Sequence, residues 1–284
     1  MPIAPTRATP RRHRVTGRQL TLVVLVIGLV AWIAPFAWML LGSVKTQGEI
    51  LRRPPTWWPK APTVANFHSW FVDIGFGHFF STSLIVAVAT VLGNLVFCSM
   101  VGYALAKMQF PGKRILFGAV MTTLMVPGVV TFVPLFVMVA KMGLLNSYAA
   151  LILPFLTTPV GVFLMRQFMI GIPDALLEAA RIDGAGEVRT FVQVVLPLSG
   201  PPLATLGILT FLGSWNNFLW PLVAAQSETM YTLPVALSLY STGQNQTHYG
   251  LLLAGSVLVV TPILLLFVLL QRYFIQGVAT AGLK

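Results

Sequence analysis

The chain has little charge, and very little acidic charge. Charged residues make up 9% of its 284 residues, and only seven are Asp or Glu. Soluble domains carry about 25% charged residues, so this sequence cannot cover a water-facing surface of ordinary size. Hydrophobic residues make up 56% of the chain, and the mean hydropathy is +0.83. We therefore expect one integral membrane domain whose main solvent is the bilayer lipid.

Three further absences exclude classes of function. Cys98 is the only cysteine, so no disulfide framework can form. No G-x-x-x-x-G-K-[ST] phosphate loop is present, because the run "PGKR" at 111–114 fails the pattern. The four histidines are isolated, and no Ser/His/Asp set can be assembled. We expect no catalytic residue, no metal site and no nucleotide hydrolysis by this chain.

Basic residues are in excess, with a formal net charge of +11. They are scattered at the ends of apolar runs, which is typical of membrane orientation and not of nucleic-acid binding. The termini, the loop 106–114 and the segment 166–200 together carry thirteen Lys and Arg, and the other loops carry five. Because basic residues favour the cytoplasmic side, the pattern predicts that both termini are cytoplasmic.

Six apolar runs are long enough to cross a bilayer, which takes about 20 mostly apolar residues. They lie at about 20–41, 79–105, 115–140, 148–170, 202–225 and 250–271. Five arginines precede the first run, as in a signal peptide, but the run exceeds the roughly 7–15 residues of an h-region and no A-x-A site follows. We interpret it as a retained first helix. The predicted domains are a disordered cytoplasmic arm at 1–19, a six-helix transmembrane domain at 20–271 and a cytoplasmic tail at 272–284.

The spans contain several prolines and no charged residue in their interiors. Proline kinks a helix, so the spans either form a shaped bundle or bend around a pathway. Ion-coupled carriers usually hold ionisable groups at membrane depth. Their absence argues against a coupled secondary carrier, and uphill transport would need an energy source in another chain.

Four of the seven acidic residues fall in one 25-residue segment, "PDALLEAARIDGAGEVRTFVQVVLP" at 173–197. Pro173 can open a helix in which Asp174 and Glu178 lie near the N-terminus, the favourable end for negative charge. Gly184 is placed to end that helix in a left-handed turn, and Gly186 to start a second helix.

The second helix carries an apolar stripe at i, i+3, i+4 and i+7, which comprises Val188, Phe191, Val192 and Val195. Pro197 is expected to break this helix, and Pro201 and Pro202 to open the next span. The segment is therefore predicted to be a cytoplasmic helix–turn–helix. It is either a surface for another protein or an ordinary connecting hairpin with its charges in water.

The same segment resembles the EAA motif, E-A-A-x-x-D-G-A followed by F and L-P, of ABC importer permeases. The matching residues are Glu178, Ala179, Ala180, Asp183, Gly184, Ala185, Phe191, Leu196 and Pro197. "FPGKR" at 110–114, "SWNNFLWPL" at 214–222 and "QRYFIQGVATAGLK" at 271–284 resemble signatures of the carbohydrate-importer branch, specifically of its maltose-permease-like second subunit. The resemblance covers about residues 20–284.

The resemblance implies an all-α integral membrane protein of six transmembrane helices, with a cytoplasmic helix–turn–helix coupling loop at 171–200 between helices 4 and 5. It implies that a separate cytoplasmic ATPase receives this loop through Glu178, Ala179, Ala180, Asp183, Gly184 and Ala185. Asp174 and Glu187 then need only be helix-start charges. Gly186-Glu187 departs from the Ser/Thr-Pro type start of the second helix that is usual in the family, and the tail lacks a final Gly.

The implied assembly has a second homologous permease, two ATPase copies and an extracytoplasmic solute-binding protein, in the lipid of a bacterial inner membrane. ATP and Mg would bind in the ATPase, no cofactor would bind in this chain, and nucleic acid is not an expected partner. The implied function is translocation of a sugar or sugar derivative, such as an oligosaccharide or glycerophosphodiester, by alternating access.

Five residues are candidates for the solute pathway, because aromatic faces and amides commonly hold sugars. They are Trp215, Asn216, Asn217 and Trp220 in the fifth span and, more weakly, Asn94 in the second. Trp215 could equally pack against the partner permease. Two alternatives to sugar import stay open: an importer permease for a non-sugar solute, and a non-energised channel or structural membrane subunit.

Overall fold

The computed structural model describes residues 14–242 and 247–281. The regular elements of these ranges are helices, beside one isolated bridge between Thr242 and Thr247. The α-helices are α1 Arg14–Ser43, α2 Gln47–Ile50, α3 Ala65–His68, α4 Phe76–Lys107, α5 Lys113–Met125, α6 Gly128–Lys141, α7 Tyr148–Ile152, α8 Pro159–Ile170, α9 Asp174–Ile182, α10 Glu187–Thr190, α11 Leu196–Leu198, α12 Gly200–Trp215, α13 Leu219–Ala224, α14 Leu233–Ser241 and α15 Tyr249–Ala281. Two π-turns, Ser69–Asp73 and Phe191–Val195, and two 3₁₀ turns, Leu153–Phe155 and Glu228–Met230, complete the set.

Three helical segments are long and apolar enough to cross a membrane alone: Gln19–Ser43, Phe76–Lys107 and Tyr249–Leu269. Three bent helix pairs would raise the number of spans in the described part of the chain to at most six, although the third pair includes Glu187–Leu198 of the predicted cytoplasmic segment. The six apolar runs of the sequence are therefore helical. However, the runs 115–140, 148–170 and 202–225 are not single helices.

The bends lie where proline or small residues interrupt the backbone hydrogen bonds. α5 and α6 meet at 105°, with Pro127 as the cap of α6, and the pair on either side of Thr158 meets at 41°. The run Glu187–Leu198 meets α12 at 81°. Prolines therefore redirect the chain at the first two bends instead of only kinking it.

The predicted break at Pro197 is wrong. Pro197 lies inside the helical run Glu187–Leu198, and the chain bends two residues later, at Ser199. The preceding turn is a π-turn, in which the Leu196 N–H donates to the Phe191 oxygen. This wider turn accommodates the missing N–H of Pro197. Pro201 and Pro202 do open α12, as predicted.

The predicted fifth span also differs. α12 ends at Trp215, residues 216–218 leave the helix, and α13 begins at Leu219. The backbone break releases Asn216 and Asn217 from the regular helix surface.

α4 lies at the centre of the bundle and packs along α8 and α12. The contact with α8 is close at Gly102, where an added Cβ would lie 2.8 Å from the Met165 Cβ and 3.0 Å from the Arg166 nitrogen. A buried cluster surrounds this end of α4. It contains Cys98, Tyr103, Leu105, Val162, Met165, Met169, Ile172, Leu177, Val195 and Leu206. Glycine at position 102 therefore lets the two backbones approach, as small residues do in membrane helix packing.

Apolar side chains cover the outside of the bundle. The apolar window of α1 has no buried residue, and Trp32 on this helix is 78% exposed. α5 and α6 also expose Met125 and Val129, by 83% and 82%. A bilayer or another apolar chain has to cover such faces.

The ends of the chain differ from the predicted boundaries. α1 begins at Arg14, so residues 14–19 of the predicted disordered arm are helical, and residues 1–13 lie outside the described residues. α15 continues to Ala281 through most of the predicted tail, and residues 282–284 also lie outside the described residues.

Candidate functional site

Residues 173–198 form the predicted helix–turn–helix, called the hairpin below. Pro173 caps α9, and Asp174 lies in the first turn of that helix. Gly184 has a φ of +81°. The Gly184 N–H donates to the Arg181 oxygen at 3.0 Å, and the Ala185 N–H donates to the Ala180 oxygen at 2.9 Å. This pair of bonds is a Schellman motif, which confirms the predicted left-handed end of the first helix.

The second hairpin helix begins at Glu187, with Gly186 as its cap. The predicted apolar stripe along it is only half buried. Val195 is fully buried and Phe191 packs against the same cluster, whereas Val188 and Val192 are 78% and 51% exposed. The turn end of the stripe projects beyond the bundle, where no described helix covers it.

The four acidic residues of the hairpin fall into two pairs. Asp174 and Glu187 are bound within the chain: Lys107 Nζ lies 2.6 Å from Asp174 Oδ1, and Arg181 Nη2 lies 2.7 Å from Glu187 Oε1. Tyr103 Oη also donates to Glu187 Oε2 at 2.8 Å. These two acids therefore do more than place charge at a helix start.

The ion pairs shift the carboxylate pKa values in the expected direction. The hydrogen bond from Lys107, and its positive charge, lower the pKa of Asp174. The pKa of Glu187 is lowered by the hydrogen bond from the Tyr103 hydroxyl and then by the one from Arg181. Both acids are thus held in the charged form by groups that donate to it.

The other two acids, Glu178 and Asp183, are exposed, and no hydrogen bond from either carboxylate occurs in the described part of the chain. Ala179 and Gly184 are exposed beside them, and Ala180 and Ala185 are half-buried. Ile182, at the end of α9, is 87% exposed. We call Glu178, Ala179, Ile182, Asp183 and Val188 the hairpin tip. It combines free carboxylates with uncovered apolar side chains.

A polar cleft of about 320 Å³ lies between α9 and the end of α4. It is lined by Ala106, Lys107, Gln109, Ile170, Asp174, Leu177, Glu178 and Arg181. The sequence analysis did not identify Tyr103, Lys107 or Gln109 as part of this site. The available signal was that Lys107 and Gln109 lie in a predicted loop on the same side of the membrane as the hairpin.

Two tryptophans predicted for the solute pathway are packing residues. Trp215 is 1% exposed, its ring stacks on Phe211, and its indole N–H donates to the Val259 oxygen at 3.0 Å. Trp220 is 2% exposed and donates to the Ala150 oxygen at 2.9 Å. Both polar groups are satisfied within this chain, and Trp215 packs against Phe211 and α15.

The two predicted amides Asn94 and Asn216 also have structural partners. Buried Asn94 donates to the Phe155 oxygen at 2.6 Å and accepts from the Thr158 hydroxyl at 2.8 Å, which ties α4 to the bend before α8. Asn216 caps α12 and donates to the Leu212 oxygen at 2.9 Å. Neither side chain lines the cavity that contains Asn217.

Asn217 does line a cavity, called the chamber below, of about 230 Å³. The lining residues are Val86, Thr90, Leu151, Phe155, Thr158, Thr210, Gly213, Ser214, Asn217 and Pro221. None of them is charged. The chamber lies between α4, the α7–α8 bend and the end of α12, and it is open on the side of Gly213, which is exposed.

Some hydroxyls on this wall make no hydrogen bond in the described chain, although Thr158 donates to Asn94 and the buried hydroxyls of Thr82, Thr190, Thr232 and Ser241 elsewhere are also without a partner. Thr205, one turn earlier on α12, donates back to the Pro201 oxygen at 3.1 Å, and Ser256 donates to the Leu252 oxygen at 2.7 Å. Thr210 and Ser214 make no such bond in the described chain, and the Thr90 hydroxyl is buried without a partner. These hydroxyls were not predicted, although Thr210, Ser214 and Asn217 have the i, i+4 and i+7 spacing in the sequence.

A family model described as "Binding-protein-dependent transport system inner membrane component" matches residues 98–280. The match includes the end of α4, the hairpin and the α12 wall of the chamber. The chain belongs to this family.

Individual relatives match this chain over almost its whole length. The arabinooligosaccharides transport system permease protein AraQ of Halalkalibacterium halodurans is 41% identical over 268 residues, which are 93% of this chain and 96% of that protein. The sn-glycerol-3-phosphate transport system permease protein UgpE of Yersinia pestis bv. Antiqua is 32% identical over 262 residues, 90% of this chain and 93% of that protein. The chain is therefore an inner-membrane permease subunit of the kind found in ABC importers.

A solved structure shares the fold. A chain of a bacterial ABC transporter involved in the import of the acidic polysaccharide alginate matches with a TM-score of 0.83 at 22% identity, covering 95% of this chain and 100% of that chain. At this identity the likeness concerns the fold alone.

Proposed function

We propose that this permease translocates an uncharged sugar or short oligosaccharide, driven by ATP hydrolysis in a separate chain and working by alternating access. The complete importer would contain a second homologous permease, two cytoplasmic ATPase copies and an extracytoplasmic solute-binding protein. Both termini and the hairpin would face the cytoplasm. The observation that carries the proposal is the hairpin tip, an exposed surface of free carboxylates and apolar side chains on a well-defined turn.

The charges and exposure of the tip support docking to another protein. Neither Glu178 nor Asp183 makes a hydrogen bond or ion pair in the described part of the chain, although Glu178 lies close enough to attract the Arg181 charge, and Ile182 and Val188 are 87% and 78% exposed. Exposed aliphatic side chains beside free charges are typical of an interface that another chain covers. The resemblance of these same residues to the EAA motif makes the cytoplasmic ATPase the proposed partner.

The lining of the chamber supports the choice of solute class. Its free hydroxyls and the Asn217 amide can exchange hydrogen bonds with sugar hydroxyls, and Phe155 offers an aromatic face. Because no lining residue is cationic, an anionic solute such as a phosphate ester would lose its hydration there without a counter-charge. The chamber therefore favours a solute of the arabinooligosaccharide kind, named for one relative, over sn-glycerol-3-phosphate, named for another.

Reconstitution tests the proposed function. The chain is placed in vesicles with its second permease, the ATPase and the binding protein, and ATP-dependent uptake of candidate sugars is measured. Glu178→Lys should leave the chain inserted but lower ATPase retention or uncouple ATP hydrolysis from uptake. Uptake by the chain without ATPase or ATP would show a channel instead, and normal coupling in Glu178→Lys would refute docking through the tip.

Glu228→Lys provides a charge-matched control for ATPase retention. Glu228 is exposed, and its neighbour Thr229 contacts His78 near the start of α4, where the His78 ring lies 3.0 Å from the Thr229 oxygen. The hairpin lies at the other end of this 32-residue helix, about 48 Å away at 1.5 Å per residue. Reversal of charge at position 228 should leave ATPase retention unchanged.

The solute chamber needs a separate test. Ser214→Ala and Asn217→Leu should raise the KM for the sugar several-fold, because each removes a hydrogen-bonding group from the wall, and Asn217→Leu also removes the acceptor of the Trp220 backbone N–H at 3.4 Å. ATPase retention should stay at the level of the unchanged chain. Ser256→Ala is the control, since that hydroxyl is bonded to Leu252 away from the chamber. An unchanged KM in both chamber variants would refute solute contact at this wall.

A further inference from the structure

The cytoplasmic end of α4 holds the first hairpin helix at its start. Lys107, the last residue of α4, donates to Asp174 Oδ1 at 2.6 Å and to the Ile172 oxygen at 2.6 Å. It also donates to the Ile170 oxygen at 3.3 Å, at the end of α8. Its side chain is 7% exposed. One ammonium thus satisfies three acceptors on the segment that leads into the hairpin.

A second contact joins α4 to the turn of the hairpin. Tyr103, one turn before Lys107, donates its hydroxyl to Glu187 Oε2 at 2.8 Å, and Glu187 Oε1 accepts from Arg181 Nη2 at 2.7 Å. Tyr103 belongs to α4, Arg181 to the first hairpin helix and Glu187 to the second. The two carboxylate oxygens of Glu187 therefore join three helices in one chain of hydrogen bonds, called the clasp below.

The fold of the hairpin does not depend on the clasp. Leu177 of the first helix is 3% exposed and Val195 of the second is fully buried, and both belong to the apolar cluster around Tyr103. The turn between the helices is closed by backbone bonds of the Schellman motif. Removal of the Glu187 charge should therefore leave both hairpin helices formed. It should weaken only the attachment of their turn end to α4.

α4 connects the clasp with the chamber. Thr90 and Tyr103 belong to the same helix, which has no internal proline, and they lie about 20 Å apart along its axis at 1.5 Å per residue. Thr90 lines the chamber. The second hairpin helix, in contrast, is joined along the chain to the α12 wall through the 81° bend at Ser199. A displacement of the hairpin can thus reach the chamber along one uninterrupted helix.

We propose that Glu187 is a positioning residue that clasps both hairpin helices to Tyr103, so that the hairpin and α4 move as one body and carry ATPase movement to the chamber wall. This inference rests on the proposed function, because it concerns how the docked hairpin drives the permease. Glu187 itself transmits this movement without contacting the ATPase or the solute.

The test uses the complete importer in vesicles, with Glu187→Gln, Tyr103→Phe, the double variant and the control Arg189→Gln. Arg189 is exposed two residues further on, and its Nε donates to Gln193 Oε1. The readouts are ATPase retention, ATP hydrolysed per solute transported, and the rate of uptake. The unchanged importer tests the proposed function by itself, because it must show ATP-dependent uptake. Only then do the variants test the clasp.

Each clasp variant should raise the ATP consumed per solute at least about threefold, a conservative bound beside the roughly tenfold change in an equilibrium that loss of a charge-assisted hydrogen bond can cause, with ATPase retention unchanged. The double variant should be no worse than the more severe single one, because both break the same chain of bonds. Unchanged coupling in Glu187→Gln, or additive effects in the double variant, would overturn the proposal. Loss of ATPase retention would also overturn it, since Glu187 would then act at the docking surface.

A distance measurement tests the clasp without transport. Spin labels are placed at Met100 on α4 and Ile182 on the hairpin, which are 51% and 87% exposed, while fully buried Cys98 stays in place. The permease in nanodiscs should give a narrow distance distribution that broadens in Glu187→Gln and not in Arg189→Gln. Equal widths in all three samples would refute the clasp even where uptake is affected.

Discussion

Gly184 is the position in the hairpin where a single methyl group should have a calculable effect. Its φ of +81° lies in the left-handed region, and an added Cβ would meet no atom within 4 Å. The cost of Gly184→Ala is therefore conformational and not steric. A residue with a Cβ is less stable by about 1–2 kcal/mol in the left-handed region than in the right-handed one. This free energy corresponds to roughly a 5–30-fold change in an equilibrium constant, at 1.4 kcal/mol per tenfold.

Hydrogen exchange reports this change directly. The Gly184 and Ala185 amides are protected by their bonds to the Arg181 and Ala180 oxygens. Protection of amides in a locally opening unit follows the opening equilibrium, so peptides that contain the turn should lose about 5–30-fold protection in Gly184→Ala. Gly184→Asn should lose less protection than Gly184→Ala, because asparagine adopts the left-handed conformation more readily than alanine.

Gly186→Ala is the matched control, two residues away. Gly186 has a φ of −72°, and a Cβ there would also meet no atom within 4 Å. This substitution should leave the protection of the turn unchanged. If Gly184→Ala kept full protection, or if the two alanine variants lost protection equally, the argument that the turn depends on a left-handed residue at position 184 would be wrong.

Three further predictions concern the bundle and its ion pairs. Gly102→Val should lower the stability of the purified protein by about 1–3 kcal/mol through overpacking between α4 and α8, whereas Gly207→Ala, whose Cβ would find its nearest neighbour at 3.9 Å, should melt like the unchanged protein. Cys98 is fully buried, so a maleimide should label it only at the temperature at which the bundle unfolds; rapid labelling of the folded protein would contradict the packing. The pKa of Asp174 is lowered by Lys107, so its contribution to stability is present above the unfolded pKa of about 3.9 and is lost as the pH falls through the lower folded value. The melting temperatures of Asp174→Asn and the unchanged protein should therefore differ by a constant amount between pH 5 and pH 8 and converge at more acidic pH.

The hairpin could be predicted well because its geometry is local. The turn at Gly184 depends on bonds that span only a few residues, so the order of alanine, glycine and charged residues is sufficient to locate it. The half-buried second helix could not be predicted in the same way. Its stripe of Val188, Phe191, Val192 and Val195 has the right spacing, but the spacing does not show where the bundle ends and the projecting part begins.

The pairing of the acids depended on the fold. Lys107 and Asp174 are 67 residues apart, and Tyr103 and Glu187 are 84 residues apart. No periodic pattern links such positions, so the sequence could separate Glu178 and Asp183 from Asp174 and Glu187 only through a resemblance. The structure gives the physical reason for the separation: all four acids are exposed, but only Asp174 and Glu187 are bonded to residues of α4.

By itself the sequence determined that the chain resides in a membrane, that its apolar runs are helical, and that its few acidic residues gather in one hairpin. These properties follow from composition and from contacts between near neighbours. Only the tertiary structure decided that Trp215 and Trp220 pack while Ser214 and Asn217 face a chamber. In a membrane helix the lipid-facing and bundle-facing sides are both apolar, so the hydrophobic pattern carries little information about which side faces inward. That choice is made by the bends at residues 158, 199 and 216 and by the close packing of α4 against its neighbours.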